Sequence, residues 1–235
     1  MKLGIMQPYF LPYIGYWQLL NAVDKYIIYD NIEFTKSSWI RRNRILLNGK
    51  DKMFSIPIKK DSDFLNIDKR ELTEDSIKER VKILNQIKVA YKKAPEFEKV
   101  FPLLQKIFLC EEKNLFKFIF NSVKIIKNYL DIKTEIIISS KVNIDHSLKN
   151  KDKVIAFCKE LGATEYYNAI GGQELYSFKE FKDNGIELKF LKTEEIFYEQ
   201  FNNEFIPNLS ILDVMMFNSK EKIKVFLNNY SLIGE

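Results

Sequence analysis

Residues 1–30, MKLGIMQPYFLPYIGYWQLLNAVDKYIIYD, contain one complete strand–helix–strand unit and decide the fold of the chain. Their pattern predicts a strand over residues 3–6, a turn rich in proline and aromatic residues, a short helix, and a second strand over residues 26–29. The turn then lies at the carboxyl end of the first strand, where open α/β sheets bind their ligands. We therefore expect an α/β protein with a ligand site beside this turn.

Two residues of the turn have a specific structural meaning. Pro12 stands where the helix would begin and suits the first helical position. Gly15 lies one turn further on, where a side chain would obstruct a ligand or a strand that approaches the helix. The alternative interpretation is that the aromatic residues of the turn are part of the core and that the glycine allows tight packing. The turn residues that we expect to contact substrate are Gln7, Pro8, Tyr9, Tyr13, Gly15 and Tyr16, with Tyr13 as a catalytic candidate.

The remainder of the chain alternates between strands and helices, except for one long helical stretch. Residues from about 74 to 130 keep helical spacing with few turn residues. Strands separated by helices indicate a parallel sheet that is covered on both faces. We expect a single α/β domain with a mostly parallel, Rossmann-like sheet and a helical insertion at about 74–130. Further strands are predicted over 53–58, 134–138, 164–167 and 186–191, and further helices over 151–161 and 174–183.

Composition bounds the class of protein. The 235 residues are 46% hydrophobic and 29% charged, as in globular proteins. No apolar run reaches the ~20 residues that cross a bilayer, and the first residues lack a signal-peptide core, so a cytoplasmic location is expected. Cys110 and Cys158 lie far apart without a partner motif, which indicates neither a disulfide nor a metal site.

The charge of the chain gives little information about its partners. The net charge of +5 comes from 37 Lys and Arg against 32 Asp and Glu. Such an excess suits an anionic substrate or lipid headgroups as well as a nucleic acid. Because basic residues outside one segment are mixed with acidic ones, we predict no nucleic-acid partner. A nucleic-acid-binding module stays open as an alternative, since arginines and aromatic residues are interleaved near residue 39.

One basic segment, residues 36–44 (KSSWIRRNR), could bind a phosphate. Arginine side chains match phosphate geometry, and a flat indole suits a nucleobase or a sugar. A solvated basic loop is the alternative. The residues of this segment that we expect to bind substrate are Lys36, Trp39, Arg41, Arg42, Asn43 and Arg44.

Two weaker signals occur later in the chain. Gly171 and Gly172 stand at a strand-to-helix turn, where backbone amides can bind an anion, although a plain turn fits equally well. His146 is the single histidine, and we expect it to be incidental rather than catalytic. With no metal-ligand spacing and no phosphate-loop motif, acid–base groups would have to be carboxylates, lysine or tyrosine.

The motifs QPYFLPYIGYWQLL, YIIYDN, KSSWIRRNRIL, CKELGATEYYNAIGGQELY and LSILDVMMFN resemble, in this order, the WbqC-like family. The resemblance covers most of the chain. It implies a role in surface-glycan (O-antigen lipopolysaccharide) biosynthesis, with a UDP- or dTDP-linked amino sugar as substrate. Acyl or aminoacyl transfer to the sugar amine is the implied reaction. The candidate cofactors are ATP with magnesium or an acyl-CoA donor. A non-catalytic partner of a glycan-assembly enzyme or lipid-linked glycan is the alternative, and a homodimer is compatible with either.

A more distant likeness concerns nucleotidylyltransferases with a HIGH-type motif. Their strand, proline-containing turn and glycine at the start of a helix correspond here to residues 13–16, YIGY. The two histidines of that motif are missing, so the arginines of residues 36–44 would have to provide the positive charge. Some relatives of this fold make amides through acyl-adenylates, and a nucleotidylyltransferase-like enzyme is therefore a further alternative.

The sugar amine must lose a proton before it attacks an acyl group, so the implied reaction needs a base. Ser210 either caps a helix or returns with Asp213 to the first turn, where Asp213 would accept the proton. Tyr198 and Gln200 would then line the acceptor pocket. The rival bases are Asp30 and Glu33.

Overall fold

The computed structural model describes residues 1–235 and contains eight strands and eight α-helices. The strands are β1 (Lys2–Met6), β2 (Lys25–Ile28), β3 (Arg42–Leu47), β4 (Lys50–Ser55), β5 (Glu135–Ile138), β6 (Glu165–Ala169), β7 (Glu187–Thr193) and β8 (Tyr230–Ile233). The helices are α1 (Ile14–Ala22), α2 (Ser76–Tyr91), α3 (Phe97–Phe108), α4 (Leu115–Tyr129), α5 (Asn150–Glu160), α6 (Phe178–Asp183), α7 (Ile211–Phe217) and α8 (Lys220–Leu227).

Six strands form one sheet in the order β5–β2–β1–β6–β7–β8. The five strands from β5 to β7 are parallel, and only β8 runs antiparallel to its neighbour. The prediction of a mostly parallel, Rossmann-like α/β sheet is confirmed. The chain leaves β1 towards β2 on one side and later returns to β6 on the other side. A crevice is therefore expected where β1 and β6 end, since this is the point at which the strand order reverses.

Helices cover both faces of the sheet, because successive residues of each strand point to opposite faces. Leu3 and Ile5 of β1 pack in one cluster with Phe157 of α5. Tyr26 and Ile28 of β2 belong to a larger cluster, which also takes in buried residues of α1, α2, α3, α4, α7 and α8. The predicted helical stretch is present as α2, α3 and α4. None of the eight helices combines the length and the apolarity needed to cross a bilayer.

The basic segment continues into a β-hairpin rather than remaining a loop. Strand β3 pairs with β4 in an antiparallel register, joined by Asn48 and Gly49. Both turn residues have positive φ, 53° and 71°, which is the conformation of a two-residue type I′ turn. Asn-Gly between two alternating stretches is a strong hairpin signal that the sequence prediction did not use. Strand β3 was therefore not predicted, and the strand predicted over 53–58 is β4 at Lys50–Ser55.

The C-terminal half departs from prediction in two places. The predicted helix over 174–183 is divided into a 3₁₀ turn, Ile170–Leu175, and the short helix α6. The last strand, β8, was not predicted, since its four residues are too short to show a period.

Candidate ligand-binding cleft

A cleft of about 990 Å³ lies at the reversal point of the sheet. Its wall is formed by the ends of β1, β2 and β6, by residues 146–150 in front of α5, and by part of the 3₁₀ turn after β6. Its volume is at the upper end of the range of small-molecule sites, about 300–1,000 Å³. The fold thus places this cleft where open α/β sheets bind ligands.

Tyrosine side chains provide much of the apolar wall. Tyr9, Tyr29 and Tyr176 line the cleft, and Tyr176 packs edge-on against Tyr166 with ring centroids 5.9 Å apart. Burial raises the pKa of Tyr9, Tyr29 and Tyr176. These phenols therefore remain protonated at neutral pH, where they can stack on a ring or donate hydrogen bonds.

His146 is part of the wall, and both of its ring nitrogens are in use. Nε2 lies 3.0 Å from the carbonyl oxygen of Val142, and Nδ1 lies 3.0 Å from Nδ2 of Asn31. A carbonyl oxygen only accepts, so Nε2 carries a proton, and Nδ1 accepts from the amide. Because neither nitrogen is free, His146 fixes the segment in front of α5 to the end of β2.

Two lysines bring positive charge to the cleft. Lys149 precedes α5 and Lys153 lies in its first turn. Lys153 is only 8% exposed, and no carboxylate lies within 4.0 Å of it. Its Nζ donates to the carbonyl oxygen of His146 at 3.3 Å and lies 5.8 Å from the ring centroid of Tyr29. Burial lowers the pKa of Lys153, since the ammonium is partly removed from water, and the carboxylate of Asp30 opposes this effect from beyond 4.0 Å.

Asn168, at the end of β6, points a free amide at the cleft. It is 7% exposed, and its Oδ1 accepts from the backbone N–H of Ala169 at 2.9 Å. Its Nδ2 has no protein acceptor and is not sealed in the interior. A Cβ at Gly172 would lie 2.3 Å from this Nδ2. A side chain at position 172 would therefore collide with Asn168. Gly171 also lines the cleft and has open space around it.

Glu33 is the one carboxylate among the residues that line the cleft. Its segment is paired with residues 65–67 through an isolated bridge between Glu33 and Asn66. The N–H of Phe34 donates to Leu65, and the N–H of Ile67 donates to Ile32. These bonds fix the backbone on both sides of Glu33, whose side chain is exposed to the ligand space.

Asp30, a rival base in the sequence, is buried and fully engaged. Its Oδ1 accepts from the hydroxyl of Ser139 at 2.7 Å and from the N–H of Ser140 at 2.9 Å, and its Oδ2 accepts from the hydroxyl of Ser140 at 2.6 Å. Asp30 does not line the cleft. It fixes the turn after β5 to the end of β2, and its role as a catalytic residue stays a prediction that this position does not support.

The first turn contributes two of its six predicted residues to the cleft. Gln7 and Tyr9 line it, and the Tyr9 hydroxyl donates to Oε1 of Gln7 at 3.2 Å. Tyr16 is 2% exposed and packs against Trp17 and Tyr26, so it lies in the core and not in the cleft wall. The remaining predicted residues, Pro8, Tyr13 and Gly15, do not line the cleft.

Gly15 serves packing, as the alternative interpretation held. A Cβ at Gly15 would lie 2.6 Å from Oγ1 of Thr193 and 2.6 Å from the ring of Tyr13. The space beside the start of α1 is thus filled by β7 and by the Tyr13 ring. A side chain at position 15 would therefore collide with Thr193 and Tyr13, and the role of Tyr13 as a catalytic residue stays a prediction.

The basic segment lies outside the cleft, and none of residues 36–44 lines it. Trp39 is 42% exposed and lies between two guanidinium groups, with Arg42 at 5.6 Å and Arg44 at 5.8 Å from its ring centroid. Lys36 pairs with Asp63 at 2.7 Å. The cations therefore have partners within the protein, and the predicted phosphate clamp does not face the tyrosine-lined cleft.

Three residues of this segment have structural roles. Arg41 donates to the carbonyl oxygen of Ile56 at 2.9 Å, and Arg44 pairs with Asp51 at 3.2 Å. Asn43 is buried, and its Nδ2 donates to the carbonyl oxygens of Phe10 and Leu11 at 3.1 and 2.7 Å. Asn43 fixes the first turn to β3, and its role as a binding residue stays a prediction.

Asp213 is completely buried at the start of α7. Its Oδ1 accepts from the Tyr91 hydroxyl at 2.6 Å, and its Oδ2 accepts from the Tyr198 hydroxyl and from Nε2 of Gln200, both at 2.7 Å. Burial raises the pKa of Asp213, and the three donors oppose this effect. Asp213, Tyr198 and Gln200 do lie together, but Asp213 is completely buried, so its role as a base stays a prediction that this position does not support.

Ser210 contacts the first turn and has a structural role there. Its hydroxyl donates to the carbonyl oxygen of Leu11 at 2.7 Å and also caps α7 at the N–H of Leu212. Tyr198 lines a second, smaller cleft of about 520 Å³, whose wall includes Ile14 and residues 193–198. Ser210, Tyr198 and Gln200 therefore do not form an acceptor pocket with the first turn.

Sequence reasoning missed most of the cleft wall, and it weighed His146 without placing it there. No local motif marks the missed residues, because they come together only through the strand order. Many of them lie near the end of a strand or at the start of a helix. The missed polar residues include Asn31, Asn66, Lys149, Lys153 and Asn168, and the missed aromatic residues are Tyr29, Tyr166 and Tyr176.

The structure defines an open, mostly parallel α/β protein with a tyrosine-lined, partly cationic cleft at the reversal point of its sheet. The model of the WbqC-like protein family matches residues 7–225, and the chain belongs to this family. It is similar to the uncharacterised protein Rv1507c of Mycobacterium tuberculosis, with 27% identity over 216 residues, 91% of this chain and 92% of that protein. No solved structure matches the chain.

Proposed function

We propose that the protein modifies a nucleotide-linked amino sugar, carried by UDP or dTDP, in the assembly of surface glycans such as O-antigen. The reaction is the transfer of an acyl or aminoacyl group to the sugar amine. The observation that carries the proposal is the cleft of about 990 Å³ at the reversal point of the sheet, with tyrosine faces and polar donors in its wall. Membership of the WbqC-like family supports the same reading.

The proposed reaction forms one bond and breaks one. The amine nitrogen attacks the carbonyl carbon of an activated acyl donor, either an acyl-CoA thioester or an acyl-adenylate made with ATP and magnesium. A C–N amide bond forms as the bond from the acyl carbon to the thiolate or to the adenylate phosphate breaks. The proton of the ammonium must leave before the attack.

Glu33 is our candidate for the proton acceptor. It is the one carboxylate in the cleft wall, whereas both nitrogens of His146 are engaged and Asp30 is buried. The lining tyrosines cannot replace it at neutral pH, because burial raises their pKa values.

Calorimetric titration with a panel of UDP- and dTDP-linked amino sugars tests the substrate. Binding of one amino-sugar nucleotide, followed by amide formation when acyl-CoA or ATP with an acid is added, is the expected result. No binding across the panel would favour a non-catalytic protein that binds a glycan-assembly enzyme or a lipid-linked glycan. Loss of binding in Arg42→Ala would show that the site lies at the basic segment and not in the cleft.

Glu33→Gln tests the base. We expect the affinity for the amino-sugar nucleotide to be kept and amide formation to fall by about 10²–10⁴-fold, the usual contribution of general base catalysis. Glu199→Gln is the matched control, since Glu199 is exposed, makes no ion pair and lies outside both clefts. Equal turnover in the two variants would remove Glu33 from the mechanism.

A further inference from the structure

The first turn of α5 faces the cleft without a side-chain cap. Lys149 stands at the cap position, and no side chain accepts a hydrogen bond from the first N–H groups of the helix. Lys149 and Asn150 line the cleft, so this end of an 11-residue helix opens towards the ligand space. Free N–H groups and the helix dipole together favour an anion at such an end.

Lys153 provides an independent reason to place an anion there. It is more than nine-tenths buried, lines the same cleft and has no carboxylate within 4.0 Å, since Asp30 acts on it only from a greater distance. The bond to the His146 carbonyl uses one of its three N–H donors, which leaves two for a ligand. A buried cation without a directly paired carboxylate is stabilised when a bound anion pairs with it. The acidic residue of this turn, Asp152, is exposed and does not line the cleft.

Asn168 adds a donor from β6 to the same cleft. Asn168 is more than nine-tenths buried, and its Nδ2 has no protein acceptor. Gly172 leaves the space that this amide occupies. A side chain held in place by its own Oδ1 bond and left with an unused donor is arranged to recognise an acceptor oxygen.

We propose that the start of α5, Lys149, Lys153 and Asn168 form a subsite for the diphosphate of a nucleoside diphosphate. This inference rests on the proposed function for the identity of the nucleotide, while the anion site itself rests on the geometry alone. The two other candidate positions do not line this cleft. Gly15 at the start of α1 lies close to the Tyr13 ring and Thr193, and the cations of residues 36–44 lie outside the cleft.

The test is calorimetric titration of the full chain with pyrophosphate, UDP, dTDP and uridine. We expect pyrophosphate and the nucleoside diphosphates to bind, uridine to bind at least tenfold more weakly than UDP, and the affinity for UDP to fall with added salt. Equal affinities for uridine and UDP, or no binding of pyrophosphate, UDP and dTDP by the unmodified protein, would overturn the proposal.

Lys153→Met and Lys151→Met form a matched pair, since both remove one positive charge from the first turns of α5. Lys151 pairs with Glu180 and does not line the cleft. Lys153→Met should weaken pyrophosphate and UDP binding about tenfold or more, the usual loss for a charged hydrogen bond, while Lys151→Met leaves both affinities unchanged. Equal behaviour of the two variants would show only a general charge effect and overturn the assignment of Lys153.

Asn168→Asp is the second variant and guards against a folding defect. The aspartate keeps the Oδ1 acceptor for Ala169 and replaces the free donor by a negative oxygen, so binding of pyrophosphate should fall about tenfold or more while the urea unfolding curve stays close to that of the unmodified protein. Unchanged affinity in this variant would remove Asn168 from the subsite.

The subsite and the proposed function can fail separately. UDP and pyrophosphate binding that depends on Lys153, without amide formation from any donor, would keep the subsite and exclude acyl transfer. Amide formation that is unaffected by Lys153→Met would keep the reaction and exclude the subsite.

Discussion

At the scale of single residues, burial decides which carboxylate can do chemistry. Asp213 and Glu33 are both acidic, yet Asp213 has three donors around it and no access to ligand, whereas Glu33 opens into the cleft. Sequence position alone favoured Asp213, since it stands beside a capping serine near the C-terminus. What the sequence does not show is the set of donors that closes around each carboxylate.

The contribution of Asp213 to stability can be measured directly. Asp213→Ala removes the acceptor of three buried donors, and each unsatisfied buried donor costs about 1–3 kcal/mol. We expect the free energy of unfolding in urea to fall by about 3 kcal/mol or more. Tyr198→Phe removes one of the donors and should cost about 1 kcal/mol. If Asp213→Ala were no more destabilising than Tyr198→Phe, the buried network would not be a stabilising unit.

The pH dependence of stability gives a second test at this residue. The pKa of Asp213 is raised above its ordinary value in the folded chain, so the folded state binds the proton more tightly than the unfolded state. The stability of the unmodified protein, relative to Asp213→Asn, should therefore be highest below the ordinary pKa of aspartate and fall as pH rises through the raised value. Urea unfolding of both proteins from about pH 4 to about pH 7 measures this difference. If the stability difference between the two proteins instead grew with pH, the three hydrogen-bond donors would stabilise the Asp213 carboxylate more than burial destabilises it.

At the scale of elements, the sequence predicts what is periodic and local. The first strand–helix–strand unit and the helices over 74–130 follow directly from the spacing of apolar residues. The hairpin β3–β4 is equally local, and its Asn48-Gly49 turn was present in the sequence as a signal. Strand β8 is different, because a four-residue edge strand is specified by the neighbour that it pairs with and not by its own pattern.

Gly15 shows how one position fixes the contact between two elements. An alanine there would place Cβ 2.6 Å from both Thr193 of β7 and the Tyr13 ring, so α1 would have to move away from the sheet. We expect Gly15→Ala to destabilise the fold by about 1–3 kcal/mol in urea unfolding, the usual cost of overpacking. Gly171→Ala is the matched control, since no atom lies within 4 Å of the added Cβ and its effect should stay within about 0.5 kcal/mol. Equal effects of the two substitutions would mean that α1 and β7 tolerate separation.

At the scale of the whole molecule, the strand order creates the site. The sequence alone places neither β6 beside β1 nor α5 with its first turn at the end of β1. Once that order is known, residues 7, 33, 153 and 168 become neighbours of one cleft although the chain separates them widely. Sequence reasoning therefore reached the correct fold class, but the basic residues that it chose, 36–44, do not line the cleft.

Because the cleft and the buried network around Asp213 are separate, we can predict how ligand binding changes the stability of the whole protein. Asp213 belongs to α7, on the face of the sheet opposite to α5, and it does not line the cleft. UDP at about 100 times its dissociation constant should raise the free energy of unfolding of the unmodified protein by about 2.7 kcal/mol. Asp213→Asn should start from a lower stability and show the same gain, because distant sites contribute additively.

Lys153→Met should show the opposite pattern, with near-normal stability in the absence of UDP and a smaller gain in stability when UDP is added. If its affinity for UDP is about tenfold lower, the same UDP concentration corresponds to about 10 dissociation constants, and the gain should fall to about 1.4 kcal/mol while the stability without ligand stays near that of the unmodified protein. Urea unfolding of the three proteins with and without UDP measures both quantities together. A lost gain in Asp213→Asn would show that α7 is coupled to ligand binding and would return Asp213 to the functional site. A full gain in Lys153→Met would instead place the nucleotide away from α5.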